Sequence, residues 1–178
     1  MILVVAATER ELAGAESAHT FACGIGPVEA AAATAQALAA GRLDALLHVG
    51  IAGARGIPPP QLVIGSESLY EDVLSGALVP AQAEPDPRLV DAARRALPEA
   101  LVLPIGTSAR VGGTSGCQVE AMEGFAVLRV AHLAGVPAVE VRAISNEIDE
   151  PDRSRWRFEE ALGALQDALP KLLAELRS

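Results

Sequence analysis

Residues 23–50 read CGIGPVEAAAATAQALAAGRLDALLHVG, and this stretch contains the order of elements from which the fold class is predicted. Its two early glycines predict a turn, and Pro27 suits the first position of a helix because that position has no use for an N–H donor. The Ala-rich run that follows predicts a helix ending near Gly41. Residues 44–50 are almost wholly apolar, which is typical of a strand buried on both faces of a sheet. The stretch therefore predicts a turn, a helix and a buried strand in succession.

The same alternation of elements extends to both sides of this stretch. Buried or short strands are predicted over residues 1–7, 62–64, 101–105 and 136–144, and helices over residues 87–97, 120–135 and 158–176. Glycine-rich residues 51–60 predict a loop, and residues 76–87 a surface excursion. Strands that alternate with helices predict an α/β fold of three layers, α/β/α, with a mixed, largely parallel central sheet.

Composition limits the class of protein. A length of 178 residues, 51% of them hydrophobic, predicts a single domain over residues 1–178. The net charge of -9 argues against a nucleic-acid partner, because phosphate backbones are bound by clustered Lys and Arg. The chain has no apolar run long enough to span a membrane and no signal-like start, so we expect a cytoplasmic protein.

Metal and cofactor motifs are not evident in the sequence. Cys23 and Cys117 lie far apart and lack the CxxC spacing of zinc or redox sites, which favours free thiols in a reducing compartment. The three histidines show no ligand spacing, so we expect no metal. The GIGPVEA turn lacks the third glycine of a dinucleotide fingerprint, and we expect no cofactor. His48, flanked by apolar residues, is expected to be a hydrogen-bonded core histidine.

Polar and glycine-rich segments follow several of the predicted strands. In parallel α/β sheets ligands bind beyond the carboxyl ends of the strands. This rule places Glu11, residues 50–53 and Asn146 near one crevice.

Four segments, in order, resemble the nucleoside phosphorylase superfamily, and in particular its methylthioadenosine/S-adenosylhomocysteine nucleosidase branch. They are VAATERE (5–11), CGIGPVEAAAAT (23–34), HVGIAGA (48–54) and VEAMEGFAVLRVAHLAGVPAVEVRAISN (119–146). The resemblance implies a phosphorylase/hydrolase-like fold reduced in size, with shortened segments between residues 11 and 23 and between residues 113 and 119. It also implies a purine nucleoside as the small-molecule partner, and a homodimer or higher homo-oligomer.

By this resemblance the catalytic residues are Glu11, Arg142 and Asn146. Cleavage of an N-glycosidic bond passes through a cation on the ribose, so the site must activate water and stabilise positive charge. The resemblance implies that Glu11 and Arg142 position the water, while Met122 packs under the ribose and Glu123 accepts hydrogen bonds from its hydroxyls. An ionised carboxylate only accepts hydrogen bonds, which suits two neighbouring hydroxyl donors.

Asn146 stands where adenine-specific members of the superfamily carry Asp. An amide both donates and accepts, which fits hypoxanthine or guanine better than adenine. The segments RAISNEIDEPDRSRW (142–156) and EAMEGFA (120–126) resemble the futalosine hydrolases, whose substrate carries hypoxanthine. The resemblance therefore implies hydrolysis of futalosine to hypoxanthine and dehypoxanthinyl futalosine, a step of menaquinone biosynthesis.

Further candidates for substrate binding are Ala52, Gly53, Phe125, Arg153 and Trp156. The segment with Arg153 and Trp156 is either a charged surface loop or a cover of the pocket, in which the Arg meets a carboxylate and the indole packs on an aromatic ring. Glu120 is expected either to be structural or to support a neighbouring site residue.

Three other functions fit the same residues. A phosphorylase for 6-oxopurine nucleosides needs an anion site, for which Arg55 and the amides of residues 50–53 are candidates. A methylthioadenosine-type nucleosidase that tolerates Asn146 is the second alternative. A non-catalytic relative that only binds a nucleoside is the third.

Overall fold

The computed structural model describes residues 1–73, 78–114 and 116–178. Within them the chain forms strands β1 (Ile2–Ala6), β2 (His19–Ala22), β3 (Ala45–Ala54), β4 (Leu62–Tyr70), β5 (Gln82–Ala83), β6 (Leu101–Thr107), β7 (Val119–Ala121) and β8 (Ala138–Glu147). The helices are α1 (Pro27–Ala39), α2 (Pro87–Ala96), α3 (Gly124–Leu133) and α4 (Phe158–Leu176). Short 3-10 helices occupy Glu9–Leu12 and Arg153–Arg155.

The strands form one mixed sheet. Strands β1, β3 and β8 run parallel to one another, β2 lies parallel beside β1, and β6 lies parallel between β4 and β7. The antiparallel pairs are β3 with β7, β4 with β5 and β4 with β8. Because β3 pairs with both β7 and β8, and β4 connects β8 to β6, these five strands close into a ring.

The alternation of side chains along β1 separates two core layers. Val4 belongs to a cluster with Leu165, Leu169 and other residues of α4, whereas Val5 belongs to a cluster with residues of α1 and α3. Helices α2 and α4 pack together, as do α1 and α3. The predicted α/β fold with a helical layer on each face of a mixed, largely parallel sheet is thus confirmed.

Two element boundaries differ from the sequence prediction. The helix predicted from Glu120 begins at Gly124, because residues 119–121 form β7 and pair with β6 and β3. The glycine-rich loop predicted from residue 51 continues β3 to Ala54, because β8 supplies a parallel partner along that whole length. Alternation and glycine content do not reveal such a partner strand, which is distant in sequence.

The surface excursion predicted over residues 76–87 agrees only in part. Gln82–Ala83 forms β5, and Pro87 opens α2 after the Asp86 carboxylate accepts a hydrogen bond from the Arg88 amide. Residues 76 and 77 lie outside the described part of the chain. None of the described helices combines the length and the apolar character needed to cross a bilayer.

Candidate active site

A cavity of about 480 Å³ opens at the carboxyl ends of β1, β3 and β8. These strands are parallel, so the segments that follow them meet at one edge of the sheet, as the rule for α/β folds predicts. The cavity is lined by Ala7, Thr8, Arg10, Glu11, Ile25, Ile51, Ala52, Gly53, Val111, Glu120, Ala121, Met122, Glu123, Ser145, Asn146, Arg153, Trp156, Phe158 and Leu162.

Glu11 is held in this wall by three hydrogen bonds. Its 3-10 helix begins after Thr8, whose amide and hydroxyl both donate to Oε2 of Glu11, at 2.9 and 2.7 Å. The amide of Ile51, at the end of β3, donates to Oε1 at 3.0 Å. An ionised carboxylate has about four acceptor positions, so Glu11 retains room for one further donor. Glu11 as a whole is 5% exposed, which leaves the cavity as the route of its carboxylate to a ligand.

Glu123 stands at the N-terminus of α3 on the same wall. Its Oε1 accepts the Gly26 amide at 3.1 Å, and Gly26 has a φ of 94°, a backbone conformation that favours glycine. Its Oε2 lies 3.5 Å from Nη2 of Arg142. Burial raises the pKa of Glu123, and the nearby Arg142 opposes that change. A buried acceptor with spare capacity beside Met122 suits hydroxyl donors of a ligand.

Arg142 lies behind the cavity wall and not in it. Its side chain is 1% exposed, and Nε donates to Oε1 of Glu140 at 2.8 Å. A Cβ on Gly50 would lie 2.3 Å from Nη1 of Arg142 and 2.8 Å from Oε1 of Glu11, so glycine is required for both groups to approach β3. The sequence predicted that Arg142 acts on water together with Glu11. Its guanidinium is engaged by Glu140, Glu123 and His48 and does not line the cavity. Its action on water stays a prediction.

His48 completes the surroundings of this guanidinium. Its Nδ1 donates to the carbonyl of Val5 at 3.0 Å, which leaves Nε2 to accept from Nη2 of Arg142 at 2.6 Å. Burial and the charge of Arg142 hold the pKa of His48 well below its usual range, so the ring stays neutral. The expectation of a hydrogen-bonded core histidine is confirmed.

Glu140 and Ser68 were not among the sequence-predicted site residues. Glu140 is completely buried and accepts from Arg142 and from the hydroxyl of Ser68. A signal for it was present: Glu140 and Arg142 are two residues apart on an apolar strand and therefore point to the same face. Opposite charges on one buried face indicate an ion pair.

Asn146 and Ser145 end β8 at the cavity. Oδ1 of Asn146 accepts the Ser145 hydroxyl at 2.7 Å, and Nδ2 donates to the carbonyl of Glu147 at 3.0 Å. A Cβ on Gly53 would lie 3.0 Å from Nδ2 of Asn146, so this glycine leaves space for the amide. Ala52 and Gly53 line the cavity beside it, as predicted.

The opposite wall contains Arg153 and Trp156. The indole Nε1 donates to the carbonyl of Glu150 at 3.1 Å, and the Arg153 guanidinium carbon lies 5.6 Å from the ring centroid. Phe158 packs against the indole at a centroid distance of 5.3 Å. Residues 151–155 are exposed, and Arg153 and Trp156 line the cavity, so contact of this segment with a ligand stays a prediction.

Two sequence-predicted binding residues lie elsewhere. Phe125 stacks on Tyr70 at 5.0 Å, in the core cluster of α1 and α3, because α3 turns this side chain toward the sheet. Arg55 donates to the carbonyls of Cys117 and Thr114 and lies 3.5 Å from Asp149. Its guanidinium is therefore occupied by the protein.

Glu120 also lines the cavity, where the sequence predicted a structural or supporting role. Its carboxylate accepts from the Gly112 amide at 2.5 Å and from the amide and hydroxyl of Thr114, each at 2.9 Å. These bonds fix the turn that carries Val111 to the cavity. The structural role is confirmed.

Comparison with known proteins relates this site to one family. The model of the phosphorylase superfamily matches residues 8–177. The futalosine hydrolase of Streptomyces coelicolor is 36% identical, over 89% of this chain and 79% of that protein.

Two solved structures share the fold. A 5'-methylthioadenosine/S-adenosylhomocysteine nucleosidase from Neisseria meningitidis, in complex with methylthio-immucillin-A, superposes with a TM-score of 0.83 at 23% identity and covers 99% of this chain and 97% of its own. A futalosine hydrolase mutant of Helicobacter pylori gives 0.84 at 18% identity, with the same coverage of 99% and 97%. This chain therefore belongs to the phosphorylase superfamily and, within it, to the family of the Streptomyces coelicolor futalosine hydrolase.

Proposed function

We propose that the protein hydrolyses the N-glycosidic bond of a modified purine nucleoside, and that this nucleoside is futalosine. The observation that carries the proposal is that Glu11, Glu123 and Asn146 line one cavity at the ends of three different elements. The 36% identity with the Streptomyces coelicolor futalosine hydrolase supports the choice of substrate. The products are hypoxanthine and dehypoxanthinyl futalosine.

Glu11 is the residue best placed to act on water. Thr8 and Ile51 fix its carboxylate through three donors, so its remaining acceptor position has a defined direction. A water bound there donates one hydrogen to Glu11 and presents its oxygen to the anomeric carbon. As the bond from this carbon to the base breaks, the carbon–oxygen bond forms, and the proton of the water passes through Glu11 to the departing base or to solvent.

Glu123 binds the ribose. Burial raises its pKa, but hydrogen bonds from two ribose hydroxyls favour the ionised form and so oppose that effect when substrate binds. The carboxylate then stabilises the positive charge that develops on the sugar. Arg142, held by His48 and Glu140, keeps Glu123 in place from behind.

Asn146 forms hydrogen bonds with the base. Its amide is able to donate to O6 or N7 of a 6-oxopurine and to accept from the ring N–H, but unlike a carboxylic acid it has no proton to transfer to N7 of a departing adenine. Ser145 donates to Oδ1 and Nδ2 donates one of its two hydrogens to the Glu147 carbonyl, so the second hydrogen is left for a ligand. This chemistry favours hypoxanthine over adenine.

The alternative hypothesis, that the protein is a phosphorylase, has less support. Arg55 already bonds the carbonyls of Cys117 and Thr114, and the Ile51 amide already bonds Glu11. Both groups would have to break these contacts to bind phosphate. A methylthioadenosine-type nucleosidase and a non-catalytic binder share the fold. Measuring which base, if any, the protein releases from each nucleoside distinguishes them from our proposal.

Chromatography of the purified protein with futalosine, inosine and methylthioadenosine, each with and without phosphate, tests the proposal. We expect hypoxanthine from futalosine at a rate independent of phosphate. Cleavage of inosine only in the presence of phosphate would favour a phosphorylase, and adenine from methylthioadenosine a nucleosidase of that type. Binding of futalosine without release of base would favour the non-catalytic relative.

We also propose a setting for this activity. The protein would act in menaquinone biosynthesis in the cytoplasm, as a single domain in a homodimer or higher homo-oligomer. Two exposed apolar side chains support an oligomer. Ile25 lines the cavity and is 62% exposed, and Val28, three residues later in sequence, is 76% exposed. A second subunit would cover these apolar groups. Light scattering on the eluted protein measures its mass in solution. A mass equal to that of one chain, 18.3 kDa, would contradict this proposal.

A further inference from the structure

The charges around the cavity are unevenly distributed. Its wall contains three carboxylates, which belong to Glu11, Glu120 and Glu123, and two guanidinium groups, which belong to Arg10 and Arg153. Arg10 is paired with Glu159 at 2.6 Å. The whole chain carries a net charge of -9, which disfavours the approach of an anion unless a cation stands at the point of contact.

Arg153 is that cation. The three acids that precede it in sequence are each bound by a different partner. These pairs are Asp149 with Arg55, Glu150 with Arg155 and Asp152 with Ser154. Among the residues that the structure describes, Arg153 has no carboxylate within ion-pair distance, although its neighbourhood is rich in acids.

An aromatic surface lies directly beside this guanidinium. Trp156 is fixed by its hydrogen bond to the Glu150 carbonyl and by Phe158, and Arg153 lies 5.6 Å from the indole centroid. Leu162 continues the apolar wall. The guanidinium carbon lies over the indole ring, so the cation and an apolar wall stand side by side in the cavity. This pair is complementary to an aromatic ring that bears a carboxylate, since the ring packs on the apolar wall while the carboxylate bonds the guanidinium.

We propose that Arg153 and Trp156 form a subsite for an aromatic carboxylate carried by the 5′ side of the nucleoside, and that Arg153 determines specificity for such substrates. This inference rests on the proposed function, because futalosine carries a benzoate group on its 5′ extension while inosine and methylthioadenosine carry no anion. The subsite lies in the same cavity as Glu123 and Asn146, so one substrate reaches all three groups.

The first test compares Arg153→Gln with the control Arg155→Gln. Arg155 lies in the same 3-10 helix but pairs with Glu150 outside the cavity wall. We expect Arg153→Gln to lower kcat/KM for futalosine by about 10-fold or more, the usual effect of losing a hydrogen bond to a charged group. Turnover of the futalosine carboxamide and of inosine should change less than about 2-fold, and Arg155→Gln should behave as wild type. An equal loss on the charged and uncharged substrates, or no loss, would overturn the subsite.

The second test does not depend on turnover. Trp156 is the only tryptophan in the chain, so its fluorescence reports on the subsite. We expect 3-acetylbenzoate to quench this emission in a saturable manner, 3-acetylbenzamide to bind at least about 10-fold more weakly, and Arg153→Gln to abolish the difference. Equal quenching by both probes would contradict the inference. If wild type binds the acid selectively but releases no base from futalosine, the proposed function fails while the subsite stands.

Discussion

Nη2 of Arg142 lies 2.6 Å from Nε2 of His48, and neither side chain has more than 1% of its surface exposed. The guanidinium is always charged, so His48 must be the acceptor, and its Nδ1 proton then goes to the Val5 carbonyl. A neutral histidine therefore orients the arginine that stands behind Glu123. Its effect on catalysis passes through these two residues.

Replacement of His48 by Leu should destabilise the protein. The change leaves one N–H of Arg142 buried without its acceptor and removes the hydrogen bond from the ring to the Val5 carbonyl, at a cost of about 3 kcal/mol. Urea unfolding of wild type and His48→Leu measures it. The same substitution at the exposed His19 should change stability by less than about 0.5 kcal/mol. Equal effects at the two sites would show that the buried hydrogen bonds do not contribute.

The pH dependence of this difference follows from the lowered pKa of His48. The folded protein keeps the ring neutral below the ordinary value of 6.5, while the unfolded chain takes up a proton there. The contribution of His48 is therefore complete above pH 6.5 and is lost as the pH falls below it. We expect the stability gap between wild type and His48→Leu to narrow by up to about 1.4 kcal/mol per pH unit between pH 6.5 and 5. A constant gap would contradict a neutral buried histidine.

Replacement of Glu123 by Gln should separate stability from activity. Burial raises the pKa of Glu123 above 4.5, so its charge is unfavourable to the folded state at neutral pH. The amide keeps the acceptor for Gly26, and Arg142 keeps Glu140. We expect thermal unfolding at pH 7 to occur at the same or a higher temperature, and kcat/KM for futalosine to fall by at least about 100-fold.

The sign of the pH effect at Glu123 provides the check. A raised pKa means that the folded protein binds the proton first, so wild type gains stability relative to Glu123→Gln as the pH falls toward 4.5. The melting temperatures of wild type and Glu123→Gln should therefore lie closer together at pH 5 than at pH 7. A variant less stable than wild type by the same amount at both pH values would show that the carboxylate stabilises the fold.

The layered fold was predictable from the sequence, whereas the exact strand pairing was not. Helix α4 has the predicted bounds, Phe158–Leu176, because a long amphipathic pattern is a local property. Strand β7 was missed because three residues between two longer strands carry no periodic signal, and their pairing with β3 and β6 is a contact distant in sequence. Tertiary pairing overrode the helical pattern of residues 120–123.

The site was predictable in its cavity-facing residues and less so behind them. Glu11, Glu123 and Asn146 line the cavity as expected. Glu11 follows β1 and Asn146 lies near the end of β8, and the carboxyl ends of these parallel strands meet at one edge. Glu123 reaches the same cavity from β7, which runs antiparallel to β3. The buried positions of Arg142 and Glu140 depend on which face of β8 meets the core, and an apolar strand buried on both faces does not reveal this. A sequence motif identifies a residue such as Arg142 but does not show where its side chain lies in the fold.

Replacement of Asn146 by Asp should shift base preference toward 6-aminopurines. A protonated Asp transfers its proton to N7 from one oxygen, and its other oxygen accepts from the exocyclic amine, while Ser145 still donates to the side chain. We expect the ratio of kcat/KM for methylthioadenosine over futalosine to rise by about 10-fold or more. Asn146→Ala, which has neither donor nor acceptor, should lose activity on both nucleosides. Unchanged preference for hypoxanthine in the Asp variant would refute the role given to Asn146.

Gly124 and Gly163 offer a matched pair of helical glycines. A Cβ on Gly124 would lie 2.3 Å from both oxygens of Glu140, whose carboxylate is held by Arg142 and Ser68, whereas a Cβ on Gly163 meets nothing within 4 Å. Gly124→Ala should destabilise by about 1–3 kcal/mol and lower kcat, because Glu140 must release Arg142. Gly163→Ala should stabilise by about 0.5–1 kcal/mol through helix propensity. Urea unfolding and initial rates on futalosine measure both variants, and a stabilising Gly124→Ala would mean that Glu140 is free to move and does not fix the arginine.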